Sequence, residues 1–89
     1  MGYGWIITKD IIEDGLGNLT SGPRGSQFTF ADLEATGTQF RMYDDDGTLY
    51  YEGLICGDFD GFEPLDDFGT PNAGATRIEL YLKGRWEHV

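Results

Sequence analysis

A strand–turn–strand pattern in the middle of the chain restricts its folding more than any other segment. Residues 39–43 and 49–56 are rich in aromatic and aliphatic side chains, and the DDDGT sequence at 44–48 is typical of a turn. Phe40 and Met42 alternate with polar neighbours and therefore share one face of the first strand. The pattern predicts an antiparallel hairpin with one face buried.

Three further segments are predicted to be strands. Residues 3–9 are apolar on both faces, which is typical of a central strand. Residues 77–82 alternate between apolar and polar side chains, which indicates a half-buried strand. The Lys83–Gly84 pair is typical of a turn, and residues 85–89 are a candidate last strand that pairs back.

One short helix is predicted over residues 30–36. Thr29 and Asp32 have the spacing of a capping box, with Asp in place of the usual Glu. Gly37 is the residue expected just past a helix end. The apolar spacing predicts a buried face made of Phe30, Ala31, Leu33 and Ala35.

Glycine-rich segments at 13–27 and 57–75 are predicted to be loops, and three phenylalanines suggest that the longer one packs on the domain: Phe59, Phe62 and Phe68. With 39% hydrophobic residues the chain has enough apolar surface for a core. No βαβ alternation occurs. The predicted fold is therefore α+β: a single domain over residues 1–89, with an antiparallel sheet of four or five strands, one short helix and a long acidic loop.

The chain has a single cysteine, Cys56, so an intramolecular disulfide is not possible. No apolar run approaches the roughly 20 residues of a membrane-spanning helix. The first residues lack the basic and apolar regions of a signal peptide. We therefore expect a soluble, cytoplasmic protein.

The triple aspartate at 44–46 has some likeness to a calcium-binding loop. Placing Gly47 at the glycine position of an EF-hand puts Met42 at the first ligand position. Placing Gly61 there puts Cys56 at that position instead. Neither register supplies the ligands, so we expect an Asp-stabilised turn without high-affinity calcium binding, with weak divalent binding as the alternative.

No catalytic arrangement is favoured by the sequence. The carboxylate pairs that could serve acid–base chemistry are Asp58 with Asp60 and Asp66 with Asp67. Such chemistry needs an apolar pocket, which a core this thin hardly provides. A Cys56–His88 pair would require the terminal strand to lie beside residue 56, and the 21–26 loop lacks the ending of a P-loop. The chain is predicted not to be an enzyme and to need no cofactor.

The aromatic residues allow two interpretations. Tyr50 and Tyr51 are adjacent on a strand and should point to opposite faces, so that one is buried and the other is not. Tyr43 lies beside Arg41 on the polar face of the preceding strand. Thirteen aromatic residues are many for so small a core. Packing under the long loop is favoured, and a contribution to a binding surface is the alternative.

Charge is distributed very unevenly. The formal net charge is −10, yet residues 1–41 carry five acids and three bases, and residues 77–89 carry two acids and three bases. Residues 42–76 carry nine acids and no Lys or Arg. The nine acids are predicted to bind a partner, and they are Asp44, Asp45, Asp46, Glu52, Asp58, Asp60, Glu63, Asp66 and Asp67.

An acidic stretch of this kind repels nucleic acid and attracts basic surfaces. If the hairpin tip and the long loop lie on the same side, they form one concentrated negative patch. Basic grooves in cells belong mostly to nucleic-acid-binding proteins, so the pattern predicts a DNA mimic. The alternative is an ordinary solvated acidic surface.

The strings RMYDDDGTLYYEG, PLDDFGTPNAGATRIE and WIITKD resemble segments that recur in this order in a family of small uncharacterised bacterial and phage-associated proteins. That resemblance implies no catalytic residues. In size and acidity the chain is also similar to phage-encoded anti-CRISPR proteins, several of which are DNA mimics. The likeness implies a phage or mobile-element inhibitor of a host CRISPR–Cas complex. The alternative function is a small bacterial housekeeping domain that binds a metal ion or small ligand through its acidic loops.

Overall fold

The chain folds into one antiparallel sheet with short helical elements on its faces. The computed structural model describes residues 2–11, 20–23 and 27–89. The strands are β1 (Tyr3–Asp10), β2 (Thr20–Gly22), β3 (Thr38–Tyr43), β4 (Leu49–Gly57), β5 (Arg77–Leu82) and β6 (Arg85–His88). The helical elements are α1 (Phe30–Thr36), a π-helical segment (Leu65–Gly69) and α2 (Thr70–Ala73). The strands lie in the order β2-β1-β4-β3-β5-β6.

The α+β class is confirmed, but the strand number is six in the described residues instead of four or five. The additional strand, β2, pairs with β1 inside a segment that was predicted to be a loop over residues 13–27. A strand of three residues carries too little periodicity to be recognised from sequence. The rest of that prediction, at residues 13–19 and 24–26, lies outside the described residues.

The strand predictions at 3–9, 39–43, 49–56 and 77–82 are confirmed, and so is the pairing of the last strand with β5. β1 is apolar on both faces because each face packs into a separate core cluster. Trp5 and Ile7 belong to the larger cluster, whereas Ile6 packs with Leu33 and Cys56 on the other face.

The two faces of the sheet differ in what covers them. The covered face carries the larger core, which includes Phe40, Met42, Tyr51, Ile55 and Ile78, each at most 3% exposed. Residues 59–75 lie over it, since Leu65 and Ala75 belong to this cluster and Phe59 and Phe68 pack against it. On the opposite face, α1 packs chiefly against β1 and β4 among the described elements. We call the remainder of that face, on β3, β5 and β6, the open face.

The helix α1 has the predicted bounds and the predicted cap. The Asp32 N–H donates to Thr29 Oγ1 at 3.2 Å, and the Thr29 N–H donates to Asp32 Oδ2 at 2.9 Å. The prediction for its buried face is largely wrong. Leu33 is buried, but Phe30 is 42% exposed and both alanines are exposed. A helix of two turns has one residue that can point straight at the sheet, and Leu33 takes that place.

The prediction of an uninterrupted loop at 57–75 is wrong, because the second half of this segment is helical. Gly69 allows the close packing, since a Cβ there would lie 2.6 Å from Met42 Sδ. The expectation that the phenylalanines pack is confirmed for Phe59 and Phe68, whereas Phe62 is 46% exposed. Apolar residues separated by three or four positions signal a helix here, but Gly, Pro and Asp between them obscure the signal.

Adjacent Tyr50 and Tyr51 show the predicted difference in burial, although both contact the same core cluster. Tyr51 is 3% exposed and Tyr50 is half-buried. The register between β3 and β4 shifts at Met42/Tyr43 and leaves Tyr50 as the additional residue of a β-bulge. The two rings therefore lie with centroids 6.4 Å apart instead of on separate faces.

The described residues form one small domain. Its radius of gyration is 11.9 Å, which matches the value of about 12 Å expected for a single domain of this length. No helix in the described ranges is long and apolar enough to cross a membrane.

Candidate partner-binding surface

The nine predicted partner-binding acids fall into three groups. The tip acids, Asp44, Asp45 and Asp46, lie in the turn between β3 and β4. Glu52 lies within β4, opposite Arg41 and on the same side of the sheet as the open face. The loop acids are in the segment after β4, and they are Asp58, Asp60, Glu63, Asp66 and Asp67.

The tip acids and the first loop acids lie at opposite ends of β4. This strand has nine residues, so at about 3.3 Å per residue its ends are about 25 Å apart. Screening at physiological salt acts over about 8 Å. The hairpin tip and the start of the long loop therefore do not come together into one concentrated negative patch.

Some of the loop acids lie close to the first residues of the chain, at the start of β1. The Asp58 N–H donates to the Gly2 carbonyl at 2.9 Å, and Asp67 Oδ2 accepts from Tyr3 Oη at 2.7 Å. This hydrogen bond, burial and the charges of Asp67, Glu63 and Asp66 raise the pKa of Tyr3 from 10.0 to about 12. The hydrogen bond to Asp67 is the largest cause of this pKa shift, and the charges of Glu63 and Asp66 are the smallest.

Two of the loop acids stabilise the conformation of their own segment. Glu63 accepts from the N–H groups of Asp60 at 2.7 Å and Gly61 at 2.8 Å, which fixes the turn after β4. Asp67 Oδ2 accepts from Trp5 Nε1 at 3.0 Å in addition to Tyr3. This carboxylate therefore joins the π-helical segment to β1.

The tip acids are similarly engaged in the turn. Asp44 Oδ1 accepts from the N–H groups of Thr48 at 2.8 Å and Asp46 at 2.9 Å. The bond from Thr48 is the largest cause of the lowered pKa of Asp44. Asp45 Oδ1 accepts from Thr76 Oγ1 at 2.6 Å, which joins the tip to the residue before β5. These contacts are those of an Asp-stabilised turn.

The carboxylates that are most available to a partner are those of Asp46, Asp58, Asp60 and Asp66, which are all exposed. Phe62 lies among the last three in sequence and exposes 46% of its surface. Aromatic residues are enriched in the centre of protein interfaces, whereas carboxylates belong to the polar rim. Of the three phenylalanines that were predicted to pack on the domain, Phe62 is the one that does not.

Glu52 stands apart from the other eight acids. Its Oε2 lies 3.9 Å from Arg41 Nε, a separation too long for a hydrogen bond, and both side chains are about one-third exposed. Arg41 Nε is buried and has no hydrogen-bond partner. The guanidinium instead stacks on Trp86, with 4.1 Å from Cζ to the ring centroid.

Trp86 and its neighbours form an aromatic group on the open face that sequence analysis did not identify. Tyr81 contacts Trp86 edge-to-face with centroids 5.2 Å apart, and it is 41% exposed. Tyr43 Oη donates to Glu79 Oε1 at 3.0 Å, and burial is the main cause of the raised pKa of Tyr43. The alternation of these residues was visible in the sequence, but their alignment across three strands depends on the sheet order.

A depression of about 220 Å³ lies at the tip end of the open face, and its lining residues are Tyr43, Gly47, Arg77, Glu79 and His88. Pockets for small ligands usually enclose about 300–1,000 Å³. Within the described ranges, no three His, Cys, Asp or Glu side chains come together in a way that could hold a metal ion.

The sheet order separates the two residues of the candidate Cys–His pair. Cys56 lies on β4 and His88 on β6, with β3 and β5 between them. Cys56 is 6% exposed, and burial is the main cause of its raised pKa. A reactive thiol needs the opposite shift.

Comparison with known proteins found no similarity that bears on function. No protein-family model matches the chain, and neither a search of curated proteins nor a search of solved structures found a match. The resemblance to phage-associated proteins stays a prediction.

Proposed function

We propose that this protein is a non-enzymatic binding domain that presents carboxylates to the basic nucleic-acid-binding surface of another protein, in competition with nucleic acid. The observation that carries the proposal is the charge of residues 42–76, where nine acids occur without a single Lys or Arg. None of these acids is buried. Their charge is therefore available to a partner even where a carboxylate also supports a turn.

The positions of the acids favour the loop acids as the principal contact. Five carboxylates occur there in the same segment as an exposed aromatic ring, Phe62, which can enter an apolar recess while the carboxylates meet basic side chains. The three tip acids are about 25 Å from the first of the loop acids along β4. A groove that engages both groups would be as long as about seven base pairs of DNA, since each pair occupies about 3.4 Å.

The hydrogen bonds of the carboxylates favour binding. Asp44, Glu63 and Asp67 each accept from two or more donors, which fixes their oxygens. Fixed and ionised carboxylates can imitate phosphates because their positions cost little further ordering on binding.

The narrowest form of the proposal is a phage or mobile-element inhibitor of a CRISPR–Cas complex. It rests on the class resemblance alone. DNA cleavage by purified CRISPR–Cas complexes, with and without the protein, tests it directly.

The general proposal is tested with paired charge reversals. Asp58→Lys with Asp60→Lys alters the loop acids, and Asp44→Lys with Asp46→Lys alters the tip acids. A matched control with the same change of +4 charges is Ala31→Lys, Glu34→Lys and Ala35→Lys, all exposed on α1. Because one exposed ion pair contributes about 0.2–1 kcal/mol, single changes are expected to have little effect.

The protein is immobilised and exposed to a bacterial lysate, and the captured proteins are measured for association rate at increasing salt. We expect a basic nucleic-acid-binding protein whose association slows with salt, slows further with the loop reversal, and is blocked by DNA. The α1 control should bind like the unaltered protein. A partner that is indifferent to salt and to both reversals would refute the proposal.

A further inference from the structure

β6 is the end strand on one side of the sheet, so its outer edge has no neighbouring strand in the described part of the chain. Hydrogen bonds of an antiparallel pair alternate along the strand. The Val89 N–H donates to the Ile78 carbonyl at 3.2 Å, so Val89, Glu87 and Arg85 face β5 with their backbone groups. The backbone groups of Trp86 and His88 therefore point outward, away from β5.

The charge around this edge is nearly balanced, in contrast to the acidic stretch, since residues 77–89 carry three bases and two acids. Four of the six Lys and Arg residues lie on β3, β5 and β6 or in the β5–β6 turn, and they are Arg41, Arg77, Lys83 and Arg85. Two molecules of charge −10 repel each other least where their bases are concentrated. This edge is therefore a place where two copies can approach.

The sequence of β6 is complementary to itself in one antiparallel register. When Trp86 faces Trp86 of a second copy, Arg85 faces Glu87 of that copy, and the reverse pair forms by symmetry. This register joins the outward backbone groups of Trp86 in both chains, as an antiparallel ladder requires. A register centred on His88 also satisfies the backbone, but it places Glu87 opposite Val89 without a charge partner.

We propose that the outer edge of β6 pairs with β6 of a second copy of this chain, in the register centred on Trp86. The Arg85 and Glu87 side chains are 80% and 45% exposed and reach each other within one chain at 3.1 Å. In the pair they lie at non-hydrogen-bonded positions, where opposite side chains are closest. The exposed Tyr81 and half-buried Trp86 of both copies then form one continuous aromatic surface on the joined open faces.

The contact is small, since β6 has four residues. Interfaces at the low end of the size range are weak and transient. The dimer is therefore expected to dissociate on dilution. This inference goes beyond the proposed partner binding and does not depend on it.

Charge exchange at β6 tests the register without any unidentified partner. Arg85→Glu places two carboxylates opposite each other across the pair, and Glu87→Arg places two guanidinium groups opposite each other. Each single change should weaken dimerisation about tenfold in sedimentation equilibrium, because two pairs change from attraction to repulsion. The double variant Arg85→Glu with Glu87→Arg restores both pairs and should recover the original dimerisation.

Thermal unfolding of each variant shows whether the monomer remains folded, which is expected because both side chains are exposed. A second measurement uses cysteine cross-linking between two chains. An Arg85→Cys chain mixed with a Glu87→Cys chain should form a disulfide-linked heterodimer on mild oxidation, and Arg85→Cys alone should cross-link far less. A protein that is monomeric at every concentration would overturn the proposal, and so would dimers that respond to neither charge exchange nor cysteine placement.

Discussion

On the covered face of the sheet, Phe40, Met42 and Ile78 are at most 1% exposed beneath residues 59–75. On the open face of the same strands, Arg41, Tyr43 and Glu79 remain half-exposed and are held by a cation–π contact and a hydrogen bond. The strands supply alternating side chains to both faces. The covering segment is what makes one face a core, and the acidic residues of that segment help to hold it in place.

The largest expected difference between the faces is in the free energy of unfolding that is lost when an aromatic residue is replaced by Ala. Phe40→Ala should lower the free energy of unfolding by about 3–5 kcal/mol, because it leaves a cavity in a packed core. Tyr81→Ala on the open face should cost less than about 1 kcal/mol, since that ring is 41% exposed. Urea denaturation measures both. Equal losses would mean that the open face is not open in solution.

The attachment of the covering segment is tested at two neighbouring acids. Asp67→Ala should cost about 1–2 kcal/mol, because Trp5 Nε1 and Tyr3 Oη lose their acceptor. Asp66→Ala is the matched control on an exposed side chain and should change stability by less than about 0.5 kcal/mol. Urea denaturation followed by the combined fluorescence of Trp5 and Trp86 measures both variants. If the two variants are equally stable, the segment is held by its apolar contacts alone.

A smaller loss of stability is expected when the stacking of Arg41 on Trp86 on the open face is removed. Arg41→Met keeps the aliphatic stem but removes the cation over Trp86, and should cost about 0.5–1 kcal/mol. Arg85→Met removes a cation that is 80% exposed and should have no measurable effect on the monomer. Both are compared by denaturation at a protein concentration too low for association. A larger loss for Arg85→Met would contradict the assignment of Arg41 as the structural cation.

The smallest expected effect is a change in stability that occurs only at alkaline pH, where Tyr3 loses its proton. The pKa of Tyr3 is raised to about 12 in the folded protein, chiefly by its hydrogen bond to Asp67. Because the folded protein holds the Tyr3 proton more tightly than the unfolded chain does, the hydrogen-bonded phenol contributes its full stabilisation below pH 10. This contribution is lost as the pH rises from about 10 to 12. Tyr3→Phe should therefore lose less stability than the unaltered protein over this range.

Tyr43 and Tyr50 also have raised pKa values, so the comparison with Tyr3→Phe is needed to isolate Tyr3. Urea midpoints at several alkaline pH values provide the measurement. Parallel pH profiles for the two proteins would show that the Tyr3–Asp67 bond does not persist in solution.

Local patterns predicted α1 and five of the six strands in the described residues. The capping box at Thr29 and Asp32 fixed the start of α1, and the alternation of residues 77–82 indicated β5, because these signals lie within a few residues of each other. The π-helical segment was not predicted, because its stability comes from Leu65 and Phe68 packing on the sheet and from the long-range bond of Asp67. A sequence window of that length contains none of those partners.

For the candidate partner-binding surface, too, one part follows from the sequence and another only from the tertiary structure. Sequence alone determined that nine acids lie between Arg41 and Arg77, because charge is a property of composition and order along the chain. Only the tertiary structure decided that they form separate groups, since β4 places its two ends about 25 Å apart. The stacking of Arg41 on Trp86 likewise depends on β5 lying between β3 and β6. Residues so distant in sequence meet only when the order of the strands is set, and that order is fixed by how both faces of the sheet are packed.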